Sequence, residues 1–122
     1  MVVVDASAVA AVVFQEPEAP SLLASLRDDD WCAPAILHYE LTNIARTKSR
    51  SRPMDAPVFR RALVLGLSYS IRIETVDFDA VFGIASATGL SAYDASYLWL
   101  SRHFGVRLVT LDKKLAAHAE KI

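Results

Sequence analysis

Four acidic residues have the type and spacing to do chemistry together: Asp5, Glu40, Asp94 and Asp112. Asp5 ends the β-branched run Val2 to Val4, and Asp112 follows the β-rich run Val106 to Thr110 by two residues. If those runs are parallel strands, both carboxylates project from one sheet edge, the edge where open α/β sheets bind ligands. Glu40 is placed differently. It falls inside the apolar stripe of a helix, among Ile36, Leu37, Leu41, Ile44 and Ala45. A carboxylate on a buried helix face costs several kcal/mol unless it is paired or bound to a metal. No Lys or Arg lies within one turn of Glu40, while Asn43, one turn later, shares its surroundings. Carboxylates gathered at one edge repel one another and raise each other's pKa, a conflict that a divalent cation resolves. An all-oxygen ligand set selects Mg²⁺ or Mn²⁺ over zinc. Such a site can bind a phosphate oxygen, activate water and stabilise a leaving oxygen, which is the chemistry of phosphodiester hydrolysis.

Each acid also has a structural reading. Asp before a helix is a favoured N-cap, which suits Asp5 and Asp112. Ser91 and Asp94 stand three apart ahead of an apolar run, close to the capping-box pattern. Asp77 and Asp79 also follow a strand and read as caps of the next helix. Other chemistries lack their parts. His38-Tyr39-Glu40 matches the H-x-E fragment of zinc deaminases, but no Pro-Cys-x-x-Cys follows. The four glycines form no phosphate-binding loop, the three histidines are far apart, and no G-x-S-x-G elbow exists. A non-catalytic receiver-like signalling domain is the rival of a different class. It also carries acids at the ends of parallel strands, but has one acid too few after the first strand and no role for Glu40.

The elements that must position these residues alternate short strands with helices. Strands are expected at Val2 to Val4, Trp31 to Ala33, Arg72 to Val76 and Val106 to Thr110. Helices are expected at Ala6 to Phe14, Ser21 to Arg27, from Pro34 onward, Ala56 to Tyr69, Phe78 to Thr88, Ser91 to Phe104 and Lys113 to Lys121. Pro34 reads as a helix opener, where its missing N–H costs nothing, and Gly89 as a C-cap. This alternation argues for α/β architecture, a parallel sheet covered on both faces. With 122 residues and 53% hydrophobic composition, residues 1–122 form one domain with a sufficient core.

The single cysteine, Cys32, excludes an internal disulfide. No apolar run approaches the ~18 residues of a membrane span, and Met-Val-Val-Val-Asp lacks the basic region of a signal peptide. A cytoplasmic protein without membrane contact is expected. The net charge of −1 gives no global field for nucleic acid. Locally, Arg46, Lys48, Arg50 and Arg52 cluster, opposed by Asp28, Asp29 and Asp30. This basic segment reads as RNA-backbone contacts, or else as a solvated turn between two helices or a docking surface for an acidic partner segment.

Asp5 with the following Ala-Ser, Glu40 with Asn43, Leu90-Ser-Ala-Tyr-Asp-Ala-Ser-Tyr-Leu and Leu108-Val-Thr-Leu-Asp together resemble PIN-domain proteins, most closely the VapC type of toxin–antitoxin pairs. The resemblance runs from Val2 to about Ala119. It implies a three-layer α/β/α sandwich with a short parallel sheet, and Mg²⁺- or Mn²⁺-dependent endoribonuclease activity. It also implies a homodimer and a cognate antitoxin protein that blocks the site. An inactive PIN-like binding module is the alternative within the same fold. By motif, Asp5, Glu40, Asp94 and Asp112 become the metal-binding catalytic acids, with Thr110 and Ser7 as supporting hydroxyls beside Asn43. Many relatives add a fifth strand after the position of Asp112. The few residues that follow here leave it no room, so an open sheet edge is expected.

Overall fold

The structure is a computed structural model that describes residues 1–119. Four strands, β1 (Val2–Val4), β2 (Trp31–Pro34), β3 (Ile71–Glu74) and β4 (Leu108–Val109), form a parallel sheet in the order β3-β2-β1-β4. Seven helices connect them: α1 (Ala6–Val13), α2 (Ala19–Leu26), α3 (Ile36–Ser51), α4 (Ala56–Leu67), α5 (Phe78–Thr88), α6 (Ala92–Phe104) and α7 (Lys113–Ala119). The expected extension of the last helix to Lys121 lies outside the described residues.

The strand order dictates the layers. From β1 to β2 to β3 the chain steps in one direction, so right-handed crossovers place α1 to α4 on one face. The return from β3 to β4 reverses direction, which places α5 and α6 on the other face. The α/β/α sandwich expected from the motifs is thus observed. The reversal leaves a switch point between β1 and β4, where Asp5 and Asp112 emerge. Val2, Val3 and Val4 are at most 1% exposed, as befits a central strand covered on both faces. On the first face α4 comes close to α1 and α3 at Gly66, where an added Cβ would stand 2.8 Å from Val13 Cγ2 and 3.2 Å from Leu41 Cδ2.

Two expectations need correction. Pro34 closes β2, in register with Glu74, instead of opening α3. Its register partner lies on β3 alone, because β1 pairs with β2 at Trp31 and Cys32. The Lys48 to Pro53 segment ends α3, which runs to Ser51, and a 3₁₀ turn at Pro53–Asp55 makes the bend. Strand β4 is shorter than the Val106 to Thr110 run, because Val106 instead closes the end of α6 by bonding to Ser101 through N–H (3.0 Å) and C=O (2.8 Å). Among the described residues β4 is an edge strand. No helix among them is long and apolar enough to cross a membrane.

Candidate active site

The side chains of Asp5, Glu40, Asp94 and Asp112 line one cleft of about 250 Å³ together with Ser7, Asn43, Ile44 and Tyr97. It lies beyond the carboxyl ends of β1 and β4. A larger groove of about 600 Å³ runs beside β4, but among the described residues its lining, from Ser101 and Gly105 through Thr110 to Ala119, offers no carboxylate.

Each acid arrives by a different local device. Asp5 is the N-cap of α1, its Oδ1 accepting the Ala8 N–H at 3.0 Å. Asp112 caps α7 in the same way, accepting from the Leu115 N–H at 3.0 Å. Asp94 sits in the first turn of α6, whose N-cap Ser91 accepts the Asp94 N–H at 3.1 Å, and its carboxylate has no hydrogen-bond partner among the described residues. Glu40 lies in the second turn of α3, directed inward between the buried Leu37 and Leu41. Asp5 and Asp112 therefore cap a helix and line the cleft with the same side chain. Asp77 and Asp79 stay outside the cleft: Asp77 caps α5 through the Ala80 N–H at 3.1 Å, and Asp79 stands in that helix's first turn.

Asp5 is only 5% exposed, and its hydrogen bonds explain how the fold tolerates it. Ser7 Oγ donates to Oδ1 at 2.7 Å, and Thr110 Oγ1 donates to Oδ2. A hydroxyl has one proton to give, so both are spent on Asp5. The hydroxyl oxygens in turn accept the backbone N–H groups of Leu111 (2.9 Å) and Asp112 (3.0 Å). Ser7 and Thr110, expected to support the acids, thus tie β1 and β4 together at the switch point. Burial nevertheless raises the Asp5 pKa above the ordinary carboxylate value. The hydrogen bonds from Thr110, Ser7 and Ala8 oppose the rise, and the Asp112 charge adds to it.

Glu40 and Asp94 are raised as well. For Glu40 burial dominates, opposed by a hydrogen bond from Tyr97 and reinforced by Asp94 and Asp5. For Asp94 burial leads, Asp112 and Asp5 add, and Lys114 opposes. Among the described residues none of the four acids forms an ion pair. The donors are oxygens throughout, which suits a hard divalent cation. No three carboxylates among the described residues converge closely enough to enclose an ion unaided.

Sequence reasoning missed Tyr97. Its ring is 1% exposed and its hydroxyl donates to Glu40 Oε1 at 2.7 Å. The signal was present, because Tyr97 lies one turn after Asp94 and shares its helix face. Burial and the Glu40 carboxylate push its pKa up, so it remains a donor. The structure divides the basic segment. Lys48 binds Glu16 at 2.6 Å and lies over the Phe14 ring, and Arg52 binds Asp55 at 2.6 Å over Phe59. Arg46 and Arg50 are exposed and form no ion pair among the described residues. Arg46 lines a hollow with Tyr39 and Asn43, and Asn43 also borders the acidic cleft.

Residues 2–121 match the PIN domain family. Exonuclease VapC9 of Pyrobaculum aerophilum is 36% identical over 86 residues, which are 68% of this chain and 65% of that protein, so the match spans just under two thirds of that relative. Ribonuclease VapC9 of Mycobacterium tuberculosis is 32% identical over 118 residues, 95% of this chain and 89% of that protein. The crystal structure of PAE2754 from Pyrobaculum aerophilum superposes with a TM-score of 0.77 at 28% identity, covering 98% of this chain and 86% of that one.

Proposed function

This chain belongs to the PIN-domain family, and from that premise we propose that it is a VapC-type endoribonuclease dependent on Mg²⁺ or Mn²⁺, the toxin of a toxin–antitoxin pair. One observation carries the reading. Four carboxylates that form no ion pair among the described residues face one cleft at the sheet's switch point, and two of them are held there by a network that fixes their direction. Burial and mutual repulsion raise the pKa values of three of these acids at one place, the kind of clustering that functional sites show. Glu40 in the cleft also has the role that a receiver-like reading denies it.

In this reading Asp5, Glu40, Asp94 and Asp112 hold the ion. When bound, it supplies positive charge against the phosphodiester oxygens and lowers the pKa of the attacking water. Ser7 and Thr110 keep Asp5 oriented, so that it needs little reorganisation when charge develops. Asn43 stands at the rim with an amide able to donate to a phosphate oxygen. RNA as substrate, a cognate antitoxin that covers the cleft, and a homodimer belong to the same proposal.

The test is incubation of purified, antitoxin-free protein with total cellular RNA in Mg²⁺, in Mn²⁺ and in EDTA, beside Asp94→Asn. Discrete fragments that need metal and vanish in the variant are expected. The Pyrobaculum relative carries the name exonuclease. Internal cuts in a circular RNA distinguish the endonucleolytic reading, because an exonuclease leaves circles whole. Absence of cleavage by folded wild type in every condition refutes the enzyme.

A further inference from the structure

Among the groups that touch the four acids, Tyr97 is the one whose chemistry reaches beyond support of the fold. Its hydroxyl crosses from α6 to α3 to donate to Glu40 Oε1 at 2.7 Å. Glu40 Oε2 has no hydrogen-bond partner among the described residues and borders the cleft. Asp5 is engaged at both oxygens: Oδ1 takes two donors, Ser7 Oγ and the Ala8 N–H, and Oδ2 takes Thr110 Oγ1. Of the two inner carboxylates, Glu40 is the one with a single oxygen engaged by the protein among the described residues.

We propose that Tyr97 is a positioning residue that sets metal selectivity, by holding Glu40 in a one-oxygen grip that suits a small six-coordinate cation and handicaps Ca²⁺. The inference rests on the reading of the four acids as metal ligands. Mg²⁺ and its analogues take six ligands in near-octahedral geometry, which single oxygens provide. Ca²⁺ takes six to eight ligands and gains from carboxylates that bind through both oxygens. To offer both, Glu40 must share the lone pairs of Oε1 between the ion and a charge-assisted hydrogen bond from a phenol at 1% exposure, which fixes the tilt of the carboxylate and weakens its second contact. With Phe at this position the ring still fills its place and Oε1 is released.

The measurement is cation uptake by the metal-free protein, without RNA: Mn²⁺ followed by the electron paramagnetic resonance signal of the free ion, and Ca²⁺ by competition. In Tyr97→Phe the Ca²⁺-to-Mn²⁺ affinity ratio is expected to rise about ten-fold, the scale of one charge-assisted bond. In a Glu40→Gln background the same substitution is expected to leave the ratio unchanged, because Tyr97 acts through Glu40. A rise of less than two-fold overturns the proposal, as does an equal rise in both backgrounds, which assigns Tyr97 a general packing role. If the wild type takes up neither ion, the ligand reading itself falls. Should Tyr97→Phe unfold, as read by circular dichroism, Glu40→Asp replaces it: the shorter side chain leaves the Tyr97 hydroxyl behind, and the ratio must still change.

Discussion

Replacing Thr110 by valine should be among the most damaging isosteric changes available to this protein. The side chain keeps its volume and loses one hydroxyl, and that hydroxyl does two things. It donates to Asp5 Oδ2, and it accepts the Asp112 N–H at 3.0 Å. A hydrogen bond to a buried charged group is worth about 1.5–3 kcal/mol, and an ordinary backbone one about 0.5–1.5 kcal/mol. The expected loss is about 2–4 kcal/mol, out of a total of about 5–15 kcal/mol for a domain. With a urea slope of about 1.5 kcal/mol per molar, the midpoint falls by about 1–3 M. Thr110→Ser keeps both bonds and loses a half-buried methyl, at a cost below about 0.8 kcal/mol. Equilibrium urea unfolding of the three proteins at neutral pH in EDTA decides the matter. If valine and serine cost the same, the hydroxyl is not what holds Asp5, and the account of the switch point is wrong.

Other predictions follow from single features. Gly83 has nothing within 4 Å of an added Cβ and lies in α5, so Gly83→Ala should stabilise by up to about 1 kcal/mol, a rise of a few degrees in Tm. Gly66→Ala gains the same helix propensity but drives a methyl into Val13 and Leu41, at about 1–3 kcal/mol. A Gly66 variant as stable as the Gly83 one would contradict the close approach of α4. The raised pKa values of Asp5, Glu40 and Asp94 mean that the folded, metal-free protein binds protons more tightly than the unfolded chain. Their stabilising contribution is full below the ordinary carboxylate range near about pH 4 and is lost as pH rises through the raised values. Thermal melts in EDTA from about pH 4 to about pH 8 should show a shallower decline for Glu40→Gln than for wild type, and parallel curves would contradict this. Reversing Arg46 and Arg50 to Glu should weaken RNA binding and flatten its salt dependence by about 1.4 in log–log slope. An unchanged slope assigns these residues to another surface.

The alternation of strand and helix was readable because hydrophobic periodicity is local. Phe78–Thr88 and the Ser91 start of α6 match their expected limits, since Asp77, Gly89 and Ser91 are punctuation written in the chain itself. Pro34 was misread because a proline's missing donor is equally harmless at a helix start and at a strand's last residue. Register with Glu74 across the sheet decides between them, and no local rule contains it. Three of the four acids that line the cleft stood out by position, because two follow strands and Glu40 breaks an apolar stripe, while Asp94 stood out only through the Leu90-Ser-Ala-Tyr-Asp motif. Tyr97 did not, because an aromatic on an apolar helix face looks like core, and most of its ring is core. Its hydroxyl acquires meaning only from Glu40, which lies on another helix. Likewise the four basic residues look alike in sequence. Glu16 and Asp55, which engage Lys48 and Arg52, separate them only in space.

Asp5 and Asp112 each hold a helix end with the same side chain that faces the cleft. Asparagine caps a helix about as well as aspartate, whereas alanine costs about 0.5–2 kcal/mol there. At Asp112, whose carboxylate makes this one hydrogen bond among the described residues, the fold is therefore indifferent to the charge, whereas at Asp5 an amide would lose the bond that Thr110 donates. Aspartate and asparagine codons differ by one transition, so a lineage selected to silence this protein finds a fold-preserving exit one nucleotide away. Silenced descendants should carry asparagine at position 112 and keep α7, whereas Glu40, which caps nothing, should decay without such a preference.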